Sequence, residues 1–352
     1  MGCSLNDCLS FSNGKKYPNS KGNIPIYGGN GVLGYCEESN ASNCIIIGRV
    51  GAYCGGVYYE KGKSWVSDNA IMGSAKEGFD IRFLYYLLLT LNLQKRQQGT
   101  SQPLLTQGLL KSINIPRLPE ISTQRRVSSF LSLFDQKIEL NNLVNDYLEE
   151  LCDAIYQDFV NSNDESWRRG TLNELLDIKY GKDHKKLADG PYPVYGSGGY
   201  MRSVEKPLAN GESVLIPRKG SLNNVMYVNE EFWTVDTMFF TVPRVPGAAK
   251  YAFQYIKKLD LESMNSGSAV PSMTTAILNA LELPIPDHEA LRELDKRFQP
   301  MYKLKAANKT EIEQLSALRD AILPKLMSGE IDVSNLDLTQ LNNHLCDCLY
   351  VS

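Results

Sequence analysis

The chain repeats itself once, and that repeat limits what it can fold into more than any other feature. Leu5-Asn6, leading to Gly14-Lys15, returns as Leu172-Asn173, leading to Gly181-Lys182. Ile26-Tyr27-Gly28 returns as Val194-Tyr195-Gly196. The apolar run Ile45-Ile46-Ile47, with Arg49 and Gly51 after it, returns as Val214-Leu215-Ile216 with Arg218 and Gly220. Trp65 and Asp68 match Trp233 and Asp236. Gly99, Ser101, Pro103 and Thr106 align with Gly267, Ala269, Pro271 and Thr274, and Ile115-Pro116 aligns with Leu283-Pro284. Asp153-Ala154-Ile155 closes the series against Asp320-Ala321-Ile322. A near-constant offset at so long a period means a duplicated domain, not a solenoid of short units.

Each copy has two textures. Its first part is rich in Gly, Tyr, Val and Ile, with short apolar runs between turn residues, and predicts a mostly β domain. Helical spacing predicts a short insert over Ile81–Leu93, with a partner over Tyr251–Leu261. The second part of each copy predicts one long helix. Val127, Phe134, Asn141, Leu148 and Ile155 fall on one heptad position, and Phe130, Val144 and Leu151 on the other. The second helix repeats this with Leu294, Met301, Asn308, Leu315 and Ile322, then Leu304 and Leu318. Such spacing predicts a coiled-coil seam, read here as Phe134, Asn141, Leu148, Leu151, Met301, Asn308, Leu315 and Leu318. Lys137, Arg297 and Glu311 interrupt it. Asn141 and Asn308 sit at equivalent positions, where a buried Asn fixes register or a solvated one marks a kink. The fold class expected is α+β: two mostly-β domains (residues 1–120 and 166–287), helices over 121–165 and 288–330, and a tail over 331–352. If a pseudo-two-fold axis relates the copies, the helices run antiparallel and Leu5 lies near Gly329.

The charge follows the same division. Net charge is −3 overall, yet residues 1–120 carry 12 basic and 8 acidic groups, while residues 121–167 carry 3 and 9. Local charge governs attraction to phosphate, so the near-neutral total does not exclude a nucleic-acid partner. The eight cysteines form no Cys-x-x-Cys pair, and with only His184, His288 and His344 no zinc pattern can be assembled. No apolar run approaches the roughly 20 residues needed to span a bilayer, and there is no signal sequence. No membrane association and a reducing cytoplasm are the expectations. Gly29 to Gly34 fits Gly-x-Gly-x-x-Gly but lacks the helix a dinucleotide site needs, and its repeat breaks the pattern, so it predicts a turn. Ser67-Asp68-Asn69 lacks the companion motifs of a penicillin-binding site; Asp68 and Asp236 are expected to hold a loop. No Walker sequence occurs, nor the Asn/Asp-Pro-Pro-Tyr run of amino-methyltransferases. The chain is expected to hold no metal, cofactor or catalytic residue.

Arg49 and Arg218 are the candidates for contact with DNA. Each follows an apolar strand and precedes a loop closed by glycine, where a guanidinium fork can reach base edges or phosphate; the alternative is a structural salt bridge. Lys15, Lys16, Gln102, Lys182, Lys185, Lys186 and Lys219 are further DNA-binding candidates, and a loop lysine is otherwise simply solvated. Trp65 and Trp233 are expected in the core.

Taken in order, these residues resemble a known family. They are the Gly-Lys turn, Tyr192-Pro193 to Gly199, the strand with Arg and Gly, Trp-x-x-Asp, Gly99-Thr100-Ser101-Gln102-Pro103, and the ending Leu323-Pro324-Lys325-Leu326-Met327-Ser328-Gly329. The sequence is similar to the specificity subunit of a type I restriction–modification system over about residues 5–330. That resemblance implies two target-recognition domains, each reading half of a bipartite site on double-stranded DNA. It also implies helices that dock two methyltransferase subunits, which supply S-adenosylmethionine and adenine methylation, and restriction (translocase–nuclease) subunits completing the complex. The alternatives are a self-contained methyltransferase recognition protein and a protein-binding adaptor.

Overall fold

The computed structural model describes residues 2–96, 103–162, 167–264, 272–333 and 336–337. Gly99, Ser101, Gln102, Gly267, Ala269, Pro271, Cys346 and Cys348 lie outside them. The chain forms two compact units, residues 1–141 with 310–352, and residues 142–309.

In the first unit β1 (Cys3–Ser4) and α1 (Leu5–Cys8) lead into β2 (Leu9–Asn13), β3 (Ile24–Gly28) and β4 (Gly31–Cys36). Then come β5 (Ala41–Gly48), β6 (Val57–Val66), β7 (Ala70–Ala75), α2 (Ile81–Thr90), α3 (Gln107–Lys111) and β8 (Asn114–Ile115). Six strands make one sheet in the order β2-β7-β5-β6-β3-β4. Every pairing is antiparallel except β3 with β6. β5 explains itself: Ile45, Ile46 and Ile47 are all fully buried, as an unbroken apolar run requires when both faces of a sheet are covered. Ile45 and Ile47 face Phe83, Leu84 and Leu87 of α2 in the main core, while Ile46 packs with Cys44, Val66 and Ala70 on the other face. α2 is capped by Asp80, whose carboxylate accepts from the Phe83 N–H at 2.8 Å. It ends at Thr90, not Leu93, because Asn92 turns left-handed at φ 53°.

Helix α4 (Ile121–Asn161) has 41 residues. The second unit then repeats the first with β9 (Arg168–Thr171), β10 (Leu176–Tyr180), β11 (Tyr192–Gly196), β12 (Gly199–Val204) and β13 (Ala209–Pro217). β14 (Met226–Thr234), β15 (Met238–Pro243), α5 (Ala248–Ile256), α6 (Thr275–Asn279), β16 (Glu282–Ile285) and α7 (His288–Ser328) complete it. The sheet order β10-β15-β13-β14-β11-β12 matches the first strand for strand, parallel pair included. The insert expected over Tyr251–Leu261 starts earlier, directly after Gly247 at φ 83°, and stops at Ile256. Ala248 and Ala249, which open the helix, carry no aromatic or Leu signal for spacing to pick up.

The long helices lie against each other within each unit. In the first, Arg319 Nη1 meets Asp135 at 2.7 Å and Asn141 donates to Glu311 at 2.7 Å. In the second, Asn308 donates to Asn145 at 2.9 Å, Lys305 pairs with Glu149, and Arg297 reaches Asp158 at 3.5 Å. Contacts that rise along α4 fall along α7, so the paired segments are antiparallel. Asn141 and Asn308 are both buried. Two interruptions of the heptad answer each other: buried Lys137 pairs with Glu311 at 3.6 Å. Phe134 and Met301 are buried, and Leu148 and Leu315 half-buried. Leu151 and Leu318 correct the sequence reading, being 47% and 51% exposed, with Leu304 exposed beside them. A straight helix drifts about 20° per heptad from a 3.5-residue repeat. Burial therefore moves to Cys152, Tyr156 and Phe159 on α4, and to Leu323 and Leu326 on α7. Leu5 shares its core with Leu323, Leu326 and Met327, so the start of the chain sits with the end of α7.

Candidate nucleic-acid interface

Four loops of the first unit meet where β2, β3, β5 and β6 end. The Gly-Lys turn comes closest. A methyl group on Gly14 would stand 1.9 Å from the Ser67 carbonyl oxygen, so only glycine lets the two loops touch. Lys15 then donates its N–H to the Val66 carbonyl at 2.9 Å, and its own carbonyl accepts from the Trp65 indole at 3.3 Å. The second unit repeats this. Gly181 would bring a methyl within 2.0 Å of the Val235 carbonyl oxygen, Lys182 donates to Thr234 at 2.9 Å, and the Trp233 indole donates to Lys182 at 2.8 Å. Trp233 is buried, Trp65 half-buried, and both brace a turn from behind.

The Arg loops are held as firmly. Arg49 donates its backbone N–H to Asn69 and accepts at its carbonyl from Leu105, both at 2.9 Å. Arg218 donates to Thr237 at 2.8 Å and accepts from Met273 at 2.9 Å. Gly51 and Gly220 close the loops at φ 75° and 85°, conformations that disfavour any residue with a Cβ. The next segment is tied in by a bridge between Val50 and Leu104, repeated between Lys219 and Ser272. It is stopped by matching caps, Thr106 accepting from Leu109 and Thr274 from Ile277, each at 3.2 Å.

The backbone is thus rigid while the cations it presents are not neutralised locally. Among the described residues the Arg49 guanidinium has no hydrogen-bond or ion-pair partner, and it is half-buried. Arg218 has no carboxylate partner either. It lies 5.4 Å from the Tyr180 ring centroid and donates to the Asp236 carbonyl at 3.3 Å. Among the described residues the salt-bridge alternative has no carboxylate partner in either copy. Lys15, Lys16, Lys182, Lys185, Lys186 and Lys219 are all exposed. Lys15 and Lys182 join the Arg loops through the Ser67–Asn69 and Val235–Thr237 turns; Lys185 and Lys186 stand on a separate turn, where Lys185 donates its N–H to Asp183 at 3.0 Å. That bond holds the Asp183 carboxyl below its ordinary range. Gln102 lies outside the described residues. Among the described residues the exposed Asp68 and Asp236 carboxylates make no hydrogen bond that would hold their loops, and the Ala70–Ser67 and Met238–Val235 backbone bonds close those turns.

Sequence reasoning missed the side chains around these loops. Tyr180 beneath Arg218 carried no signal. Exposed Val50 and Tyr53 carried no signal either, and the Gly29–Gly34 segment read only as a turn. It is the hairpin between β3 and β4.

A family model described as the type I restriction modification DNA specificity domain matches residues 4–150 and again 164–317. The chain is 33% identical over 112 residues to the EcoprrI specificity subunit of Escherichia coli, a match spanning 32% of this chain and 28% of that one. It is 22% identical over 309 residues to the MjaIX specificity subunit of Methanocaldococcus jannaschii, covering 74% of this chain and 71% of that one. In fold it is similar to the crystal structure of a type I restriction-modification S subunit from M. genitalium, with TM-score 0.62 and 20% identity over 93% of this chain and 95% of that one. Two matches to one family model, falling on two sheets of identical strand order, leave one conclusion: the chain belongs to the type I restriction-modification DNA specificity family.

Proposed function

We propose that this chain is the non-catalytic sequence reader of a type I restriction–modification complex, with each sheet domain reading one half of a split site on double-stranded DNA. The observation that carries this is the duplicated loop cluster with its locally unpaired arginine. An Arg without a carboxylate partner keeps its fork free for a guanine edge or a phosphate. The lysines around it add attraction to the backbone without sequence preference. Half-site separation follows from having one reader per unit.

The helices dock two methyltransferase subunits. Exposed Leu143, Tyr147 and Leu151 recur at four-residue spacing on one face of α4 and support that role. Methyl transfer from S-adenosylmethionine belongs to those partners, and cleavage to the translocase–nuclease subunits that join them. No described helix is long and apolar enough to cross a membrane, and the six described cysteines are free thiols; cytoplasmic work fits both.

The test is reconstitution. The purified chain alone transfers no methyl group from S-adenosylmethionine to duplex DNA, and the chain with its methyltransferase subunits does so within a split motif. Methylation by the chain alone would refute the non-catalytic assignment, and a short continuous motif would refute the two-reader assignment.

A further inference from the structure

The β3–β4 and β11–β12 hairpins share an irregularity that neither sheet needs. Tyr27 pairs with Val32 and Ile26 with Gly34, so Leu33 is an extra residue, a β-bulge. In the second unit Tyr195 pairs with Tyr200 and Val194 with Arg202, which makes Met201 the extra residue at the matching place. Bulges re-aim a side chain and are designed features more often than defects.

Both bulged side chains are large, apolar and in solvent. Leu33 is 40% exposed and Met201 54%, beside Val32 at 46% and Tyr200 at 62%. Each lies across a glycine of the facing strand. A methyl on Gly28 would stand 2.4 Å from Leu33 Cδ1, and one on Gly196 would stand 2.6 Å from Met201 Sδ. β4 and β12 are edge strands open to water, where charged or polar side chains ordinarily guard the edge, so matching pairs of apolar side chains there stand out.

The hairpin turns abut the Arg loops. Gly29 packs against Gly48, where an added methyl would lie 3.6 Å from the Gly48 Cα and 3.7 Å from the Val50 carbonyl oxygen. Ser197 accepts at its carbonyl from Asn224 at 2.7 Å, and its hydroxyl crowds Gly220. The turns of both bulged hairpins therefore adjoin cation-bearing loops, with the apolar bulge residues a few positions along the same hairpin.

Resting on the DNA reading proposed above, we infer that the bulged hairpins are base-contacting elements, with Leu33 and Met201 as specificity-determining residues. Their partner is the apolar part of the groove floor, where thymine methyl groups and exposed base faces offer contact that phosphate cannot. The Arg and Lys of the adjoining loops bring the polyanion to these hairpins, and this complementarity favours duplex DNA over an apolar protein surface.

The experiment presents a library of random-sequence duplexes to the full chain in complex with its methyltransferase subunits. The parent is compared with Leu33→Ser and Met201→Ser, and with the conservative exchanges Leu33→Met and Met201→Leu. Leu33→Ser relaxes the base preference in one half of the recovered motif, with roughly tenfold weaker binding of the parent site. Met201→Ser does so in the other half. The conservative exchanges restore binding to within about twofold of the parent while melting curves stay unchanged, a pattern a merely structural residue would not produce. A split motif unaltered by both Ser variants overturns the inference and leaves the DNA reading standing. Ser variants that keep the motif but lose the methyltransferase subunits also overturn it, placing a protein on the hairpins. A parent that recovers no motif overturns the DNA reading and this inference together.

Discussion

Lys250 offers a measurable perturbation of how a sheet domain is fastened to a long helix. It is 3% exposed, and its Nζ stands 2.6 Å from Glu212 on β13 and 2.6 Å from Asp295 on α7, with Gln299 at 3.4 Å. The rings of Tyr227 and Tyr302 lie 5.9 and 5.6 Å from it. Burial opposes the charge, but the two carboxylates outweigh it and hold the ammonium above its ordinary range. Lys250→Met keeps the stem's packing and removes the charge, leaving two carboxylates facing each other. Stranding a partner of a buried pair costs about 3–5 kcal/mol. Glu212 and Asp295 keep 25% and 33% of their side-chain exposure, and water answering them lowers our expectation to about 2–3 kcal/mol. For a cooperative unit of this size that is roughly 4–12 °C in melting temperature, read by differential scanning calorimetry. The triple variant Lys250→Met, Glu212→Gln, Asp295→Asn should recover most of it, because no charge is left unmatched. A single variant that melts with the parent, or a triple variant no better than the single, would refute the reasoning.

Replacing Arg49 with Ala should weaken one half-site by about 1–3 kcal/mol, and Arg218→Ala the other, in a competition assay with half-site-mutated duplexes; equal loss at both half-sites would point to phosphate contact only. Ser at Leu143, Tyr147 and Leu151 together should leave the melting temperature within about 1 °C, since all three are exposed, and should weaken sedimentation with a methyltransferase subunit at least tenfold. Unchanged sedimentation would move the docking face elsewhere. Glu149 is pushed up by burial, yet hydrogen bonds from Lys257 and Lys305 outweigh this and hold it below the ordinary range. A depressed native value means its stabilisation is full above about pH 4.3 and is lost as pH falls through the native value. The melting-temperature gap between parent and Glu149→Gln should therefore narrow as pH falls below about 4.3 and through the depressed native value; a constant gap would contradict the assignment.

The repeat made the architecture legible. Gly14, Gly51 and the Ile45–Ile47 run each force a local shape, and their recurrence forces that shape twice. What stayed hidden follows from physics that acts across the chain. Heptad counting placed Leu151 and Leu318 in the seam because it assumes the helices supercoil throughout; where they do not, the stripe rotates toward Cys152, Tyr156 and Phe159. Lys137 and Glu311 read as two defects because nothing local reveals that they lie 3.6 Å apart. Arg49 and Arg218 were legible as candidates, but their freedom from carboxylates depends on loops distant in sequence. Leu33 and Met201 were invisible, since the Gly29–Gly34 segment and its repeat read as a turn, and only the pairing register across the hairpin reveals a bulge.

Duplication also separates what the frame holds from what each copy varies. The glycines beside the loops, the Thr caps, the indole-to-lysine bonds and the bulge positions are the same in both units, and all act through the backbone or through packing behind it. Beside the recurring Arg and Lys, several side chains facing water differ. Val50 stands where Lys219 does, and Leu33 where Met201 does. The fastening to the long helix differs as well. Arg82 takes the place of Lys250 and stacks 5.2 Å from the Tyr59 ring, while Ser128 and Ser132 stand where Asp295 and Gln299 do. Tyr86 instead donates to Asp135, which also binds Arg319. A charge that is matched in one copy would be stranded in the other, so α2 and α5 cannot be exchanged without their helix partners. Loop side chains that differ on one shared backbone frame suit a reader whose two domains read different half-sites. A junction matched within its own copy keeps each reader set on its helix while its loops change.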